Sequence, residues 1–164
     1  MNPTEHPVAF AATTLYTIGE AADILGISIP TIRMYEREGL IIPQRKRSKH
    51  RRFSQADIER IRCIRSMINH EKVSIAGIRH MLSLIPCWSI KNCPPDERVK
   101  CGAYQQHDKP CWMASVKSWD CRSLECRECV VYTTIANCET LKKTIAECTT
   151  RLQEVGSSSQ RGNV

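Results

Sequence analysis

The sequence predicts a mainly α-helical protein in two parts: a helical N-terminal half holding one small β-hairpin, then a small cysteine-rich module and a long C-terminal helix. Three observations carry that prediction. Apolar residues in the first 86 positions recur at helical spacing in four short runs. Nine of the ten cysteines fall between Cys87 and Cys148, so the composition changes abruptly at residue 87. From Cys138 onward, apolar residues return at alternating spacings of three and four, the pattern of a helical seam.

The first run is Ile18, Ala21, Ala22 and Leu25, which share one face of a short helix. Gly26 breaks it, because glycine enters the left-handed region without steric cost. Ser28 offers an N-cap, and Pro30 is tolerated in a first turn whose N–H groups have no partner within the helix. The second helix runs through Ile32 and Tyr35 to Gly39. Two short helices about a tight turn make a helix-turn-helix, with Arg33 and Arg37, four residues apart, on the exposed side of the second. Leu40–Ile42 and Arg51–Phe53 read as two strands of a wing. Ser54-Gln-Ala-Asp57 fits a capping box that starts a helix with Ile58, Ile61, Ile64 and Ile68 facing inward. The last helix begins at Ser74, buries Ile75, Ile78, Leu82 and Ile85, and stops at Pro86.

Charge is concentrated in this half. The chain has a net charge of +7, and residues 1–86 hold 13 Lys and Arg against 8 Asp and Glu. Arg45, Lys46, Arg47, Lys49, Arg51 and Arg52 crowd together with no acid among them. Like charges so placed repel unless a polyanion neutralises them, although a solvated loop or a lipid-facing patch has the same composition. No apolar run approaches the ~20 residues that span a bilayer. Residues 1–14 have no basic start and no cleavage pattern, and read as a disordered lead-in. The expected compartment is therefore the cytoplasm, where thiols stay reduced and cysteines serve as metal ligands or redox groups before they serve as disulfides. No carboxylate pair, Ser/His/Asp set or phosphate loop points to an enzyme.

The cysteine-rich stretch, residues 87–132, repeats itself. Pro86-Cys87-Trp88 recurs as Pro110-Cys111-Trp112, and Cys93, Cys101 and Tyr104 recur as Cys121, Cys129 and Tyr132. An additional cysteine makes Cys126-x2-Cys129, a turn that points two thiolates at one ion. Seven cysteines are candidate ligands: Cys87, Cys93, Cys101, Cys111, Cys121, Cys126 and Cys129. Few aliphatic residues lie among them, so a metal has to supply folding energy that a core does not. Cys121-x4-Cys126-x2-Cys129 suits an iron–sulfur cluster, structural zinc is the alternative, and thiol chemistry without metal is a third reading. His107 is a possible ligand, but a lone loop histidine is more often exposed. Cys63 reads as a small buried hydrophobe. Cys138, Leu141, Ile145, Cys148, Leu152 and Val155 form a heptad seam on a helix over 133–155, a dimerisation element, and residues 156–164 read as a disordered tail.

Four ordered motifs carry a resemblance: Thr17-Ile-Gly-Glu-Ala-Ala, Thr31-Ile-Arg-Met-Tyr-Glu-Arg-Glu-Gly-Leu, Arg51-Arg-Phe-Ser with Asp57-Ile-Glu-Arg-Ile, and Val73-Ser-Ile-Ala-Gly-Ile-Arg. Across residues 15–86 the chain resembles the MerR family of regulators, in its heat-shock-repressor (HspR-like) branch. Cys101-Gly-Ala-Tyr104 and Pro110-Cys-Trp resemble "two-CW" modules. The resemblance implies a homodimeric transcription factor on an inverted-repeat promoter operator in double-stranded DNA, working with RNA polymerase. It places the second helix in the major groove and the wing along the backbone. The DNA-contact candidates are Arg33, Tyr35, Arg37, Arg45, Lys49, Arg51 and Arg52, with Arg33 matching the family's helix arginine and Arg51 and Arg52 its wing arginines. Met34 and Lys49-His50 depart from the common Tyr and Gly-Tyr. The expected function is a DNA-binding regulator whose cysteine module senses redox state or metal through an iron–sulfur cluster; the alternative is a repressor or architectural protein with a structural zinc module.

Overall fold

The computed structural model describes residues 14–45, 50–122, 125–135, 138–144, 146–147 and 150. Helix α1 (Ile18–Leu25) starts at a capping box in which Thr17 and Glu20 satisfy each other's backbone N–H groups, and ends at Gly26 in the left-handed region. Helix α2 (Ile29–Arg37) is capped by Ser28. Strands β1 (Gln44–Arg45) and β2 (Arg51–Arg52) pair antiparallel, Gln44 opposite Arg52 and Arg45 opposite Arg51. Helix α3 (Gln55–Asn69) starts at the expected capping box of Ser54 and Asp57, and α4 (Ile75–Ser83) is capped by Ser74.

The wing is shorter than expected. Leu40–Ile42 is not a strand: Leu40 and Ile41 are fully buried, and their segment connects α2 to β1. Apolar side chains on two consecutive residues suit a connector pressed into a core better than the alternation of a half-exposed strand.

The second half contains short helices, α5 (Cys87–Ile90), α6 (Pro95–Arg98), α7 (Gly102–Gln105), α8 (Trp119–Arg122) and α9 (Val130–Thr134), with a 3-10 turn at Cys111–Met113. The internal repeat is visible in three dimensions. Trp88 meets Tyr104 edge-on at 5.0 Å between ring centroids, and Trp112 meets Tyr132 edge-on at 5.2 Å. Cys101 and Cys129, equivalent in the repeat, each stand immediately before a short helix.

One apolar core joins the two halves. Leu25, Ile32, Tyr35, Phe53, Ile58, Ile61, Ile78 and Leu82 pack in the same cluster as Val131, Ile135 and Leu141. Two seam expectations change accordingly. Residues 138–144 are helical, but Leu141 is buried in this chain's own core and Cys138 is disulfide-bonded to Cys63, with Cα atoms 5.4 Å apart. Cys138 is thus tied to α3 through Cys63, which is a bridge and not a plain hydrophobe. Ile145, Cys148, Leu152 and Val155, together with residues 1–13 and 156–164, lie outside the described residues.

Gly39 shows how tightly the halves fit. Its φ is +71°, and a Cβ there would fall 1.8 Å from Met113 Sδ and 2.7 Å from Met113 Cγ. Gly39→Ala is expected to lose about 1–2 kcal/mol from the left-handed backbone alone. Displacing Met113, a pliable side chain, adds roughly 1 kcal/mol of overpacking. Thermal unfolding of Gly39→Ala beside Gly26→Ala separates the two terms, since a Cβ on Gly26 meets nothing within 4 Å at a similar φ.

Candidate metal centre and nucleic-acid interface

All seven candidate cysteines, Cys87, Cys93, Cys101, Cys111, Cys121, Cys126 and Cys129, line a single cavity. It contains about 630 Å³ of space between atoms, part of it open to solvent, and is walled by Trp88, Tyr104, Trp112 and Tyr132. Residues that lie as much as 42 positions apart in sequence thus converge because the repeat folds its two units about one centre. The Cys87 and Cys111 side chains, which are equivalent in the repeat, are hydrogen-bonded to each other, and that bond lowers the pKa of Cys87 and raises that of Cys111. Burial raises the Cys121 thiol.

Cations border the same space. Lys117 Nζ lies 3.0 Å from Cys126 Sγ, and Lys91 Nζ lies 3.7 Å from Cys121 Sγ. Arg98 also lines the cavity; its Nη2 donates to the Cys93 carbonyl at 2.9 Å, while its Nε is buried with no hydrogen-bond partner among the described residues. An unpaired buried donor costs about 1–3 kcal/mol unless an acceptor occupies the cavity. Among the described residues, no three His, Cys, Asp or Glu side chains converge closely enough to hold a single ion. His107 is exposed.

The cavity wall is fixed to the segment between α2 and the wing. Trp112 Nε1–H donates to the Gly39 carbonyl at 2.7 Å. The Ile42 N–H donates to the Tyr132 hydroxyl at 2.8 Å, and the Ile42 carbonyl accepts from Arg127. Residues 40–43 have no strand partner, and an unpaired buried backbone group is costly, so the module satisfies polar groups that the winged half leaves open. Arg127 also clasps the Asp57 carboxylate, at 2.9 Å to Oδ1 and 2.5 Å to Oδ2. Burial works against the Arg127 charge, but the Asp57 carboxylate outweighs it and raises the guanidinium pKa. Arg60 stacks over the Tyr132 ring at 3.7 Å and donates to the Tyr132 carbonyl.

Arg33 and Arg37 are exposed along α2. Arg51 Nε donates to Glu36 Oε2 at 2.5 Å, which links wing to helix, and the Arg51 side chain is about one-third exposed. Arg52 is half-buried beside it. Tyr35 is 4% exposed, its ring belongs to the core, and burial raises its hydroxyl pKa. The Arg45 side chain and Lys49 lie outside what the structure describes.

Residues 16–85 match the family model for MerR HTH family regulatory proteins. The match covers residues 16–85 alone, less than half of the chain, and this MerR-like segment is the winged half. Over 72 residues the chain is 36% identical to heat shock protein HspR of Streptomyces coelicolor, covering 44% of this chain and 48% of that one. It is 43% identical over 70 residues to the HTH-type transcriptional regulator MlrA of Escherichia coli, covering 42% of this chain and 28% of MlrA. It is 39% identical over 51 residues to the mercuric resistance operon regulatory protein of Pseudomonas fluorescens, covering 30% of this chain and 35% of that one. The chain therefore spans about half, or less, of the relatives it matches. No solved structure matches it. The matched region of the MerR domain ends before Cys87, so the cysteine cavity lies wholly beyond the family match. Among the described residues, no helix is long and apolar enough to cross a membrane.

Sequence reasoning missed Arg127, Lys91, Lys117 and Arg98 at the cavity and its border. Arg127 sits inside Cys126-x2-Cys129, but no local pattern announces a carboxylate 70 positions away.

Proposed function

We propose that this protein is a DNA-binding transcriptional regulator whose cysteine cavity holds an iron–sulfur cluster and reports redox state or metal supply to the MerR domain. The observation that carries the proposal is the convergence of seven thiols on one cavity attached to the helix-turn-helix. Thiolates are the soft donors that iron–sulfur clusters require. A cluster is wider than one ion, so donors distributed around a cavity suit it better than they suit a lone zinc. Lys91, Lys117 and the unpaired Arg98 Nε would offset the negative charge of a thiolate-bound group, and the four aromatic rings limit water at the sulfurs. The cluster, when bound, supplies one-electron chemistry; the chain supplies donors, countercharge and attachment to the DNA-binding half.

Double-stranded DNA is the proposed partner, with a homodimer reading an inverted-repeat operator at a promoter served by RNA polymerase. Arg33 and Arg37 on α2 and the free ends of Arg51 and Arg52 supply the cationic face. Protein purified without oxygen is expected to contain iron and acid-labile sulfide in comparable amounts and to absorb in the visible. Zinc alone, in a colourless protein, supports the structural-zinc alternative instead. For the DNA face, Arg52→Ala is expected to weaken binding to any duplex and to reduce the slope of log affinity against log salt by about one unit, because each neutralised phosphate releases a counterion. An unchanged slope removes Arg52 from the interface.

A further inference from the structure

We infer that Trp112 and Tyr132 form a strut through which the state of the cysteine cavity sets the angle between α2 and the wing; this rests on the sensing reading above. Both rings line the cavity, and they brace each other edge-on with an interplanar angle of 90°. Each reaches the MerR domain through its polar atom, Trp112 at the Gly39 carbonyl and Tyr132 at the Ile42 N–H. Gly39 and Ile42 bracket the connector that joins the DNA-reading helix to the wing. A shift of the two rings therefore moves both ends of that connector at once.

The far side of the strut is stiff. Tyr132 is 4% exposed, and its ring lies under the Arg60 guanidinium, 3.7 Å away. Arg127, fastened to Asp57, holds the Ile42 carbonyl. Displacement at the cavity thus has little room to dissipate before it reaches the connector, since a close-packed interior transmits strain. The repeat provides an internal contrast. Trp88 and Tyr104 meet at nearly the same distance and at an interplanar angle of 85°, and line the same cavity. Among the described residues, neither the Trp88 indole nor the Tyr104 hydroxyl hydrogen-bonds to the MerR domain. Among the described residues, the Trp–Tyr pair of one repeat unit is therefore bonded to the winged half through its polar atoms, and the pair of the other unit is not.

The test compares full-length proteins on a duplex enriched from random-sequence DNA by the wild type. Affinity is measured for the iron-loaded protein and for the same protein stripped by a chelator under reducing conditions. Wild type is expected to change affinity between the two states by roughly 5–150-fold, the usual range of coupling between sites. In Trp112→Phe/Tyr132→Phe the rings stay and the two polar atoms go, so iron and sulfide content should be retained while the ratio falls to within about 2-fold of unity. Trp88→Phe/Tyr104→Phe, which makes the same change on the other unit, should keep the wild-type ratio. The ratio, and not the absolute affinity, is the readout, because a merely structural defect shifts both states together. An iron-loaded Trp112→Phe/Tyr132→Phe protein with the wild-type ratio overturns the strut alone, as does an equal loss in the Trp88→Phe/Tyr104→Phe control. Wild-type protein that binds no iron and responds to no stripping overturns the sensing reading, and the strut with it.

Discussion

Replacing Arg127 with alanine is expected to destabilise the protein by about 3 kcal/mol, the low end for breaking a buried ion pair by removing one partner. The Asp57 side chain is 4% exposed and that of Arg127 18%, so neither charge is rescued by water when the other is lost. The low end applies because the capping box remains: Ser54 N–H and Ser54 Oγ still donate to Asp57 Oδ2 at 2.6 and 2.8 Å. The same substitution also frees the Ile42 carbonyl. For a chain of this size, that loss lowers the melting temperature by roughly 6–12 °C. Arg127→Ala combined with Asp57→Asn removes both charges and should recover part of the loss, because no uncompensated carboxylate remains buried. A double-mutant cycle read by thermal unfolding measures the coupling directly. A coupling energy under about 0.5 kcal/mol would reduce the pair to a surface contact.

The elements that formed as read are those whose signals are local. Ser28 and Ser54 cap their helices because a hydroxyl beside open first-turn N–H groups needs no distant partner. The two-unit repeat was legible for a different reason: units that recur in order fold alike, as the matching Trp–Tyr pairs show. What stayed hidden is pairing between halves. Nothing near Cys63 distinguishes a buried thiol from one facing Cys138, 75 positions later. The spacing at Cys138 and Leu141 likewise does not announce that Leu141 is buried in the chain's own core or that Cys138 bonds to Cys63. Tyr35 is a similar case. Exposed and buried aromatics look alike on an amphipathic helix, and α1 and α3 settle which this is by closing over it.

The largest expected effect belongs to the cavity. Cys126→Ser and Cys129→Ser each replace a proposed soft ligand with a nearly isosteric poor one, so the expected loss is one of coordination and not of packing. Metal binding supplies about 10–16 kcal/mol in small zinc peptides, and apolar burial within the module cannot replace anything of that size. Among the described residues, its own buried cluster is Cys101, Ala103 and Ala114. Both variants are therefore expected to lose bound metal and to open amide exchange across residues 87–122. Residues 130–135 should stay protected, because Val131, Tyr132 and Ile135 are buried in the core shared with the MerR domain. Cys138→Ala supplies the contrast: it removes the bridge to Cys63 and lowers global stability while leaving metal content intact, since Cys138 does not line the cavity. Metal analysis and hydrogen exchange on the three variants separate ligand from bridge. Full metal occupancy in the Cys126 and Cys129 variants, with loss in the Cys138 variant, would move the site to the C-terminal helix and leave the two Pro-Cys-Trp units as scaffold.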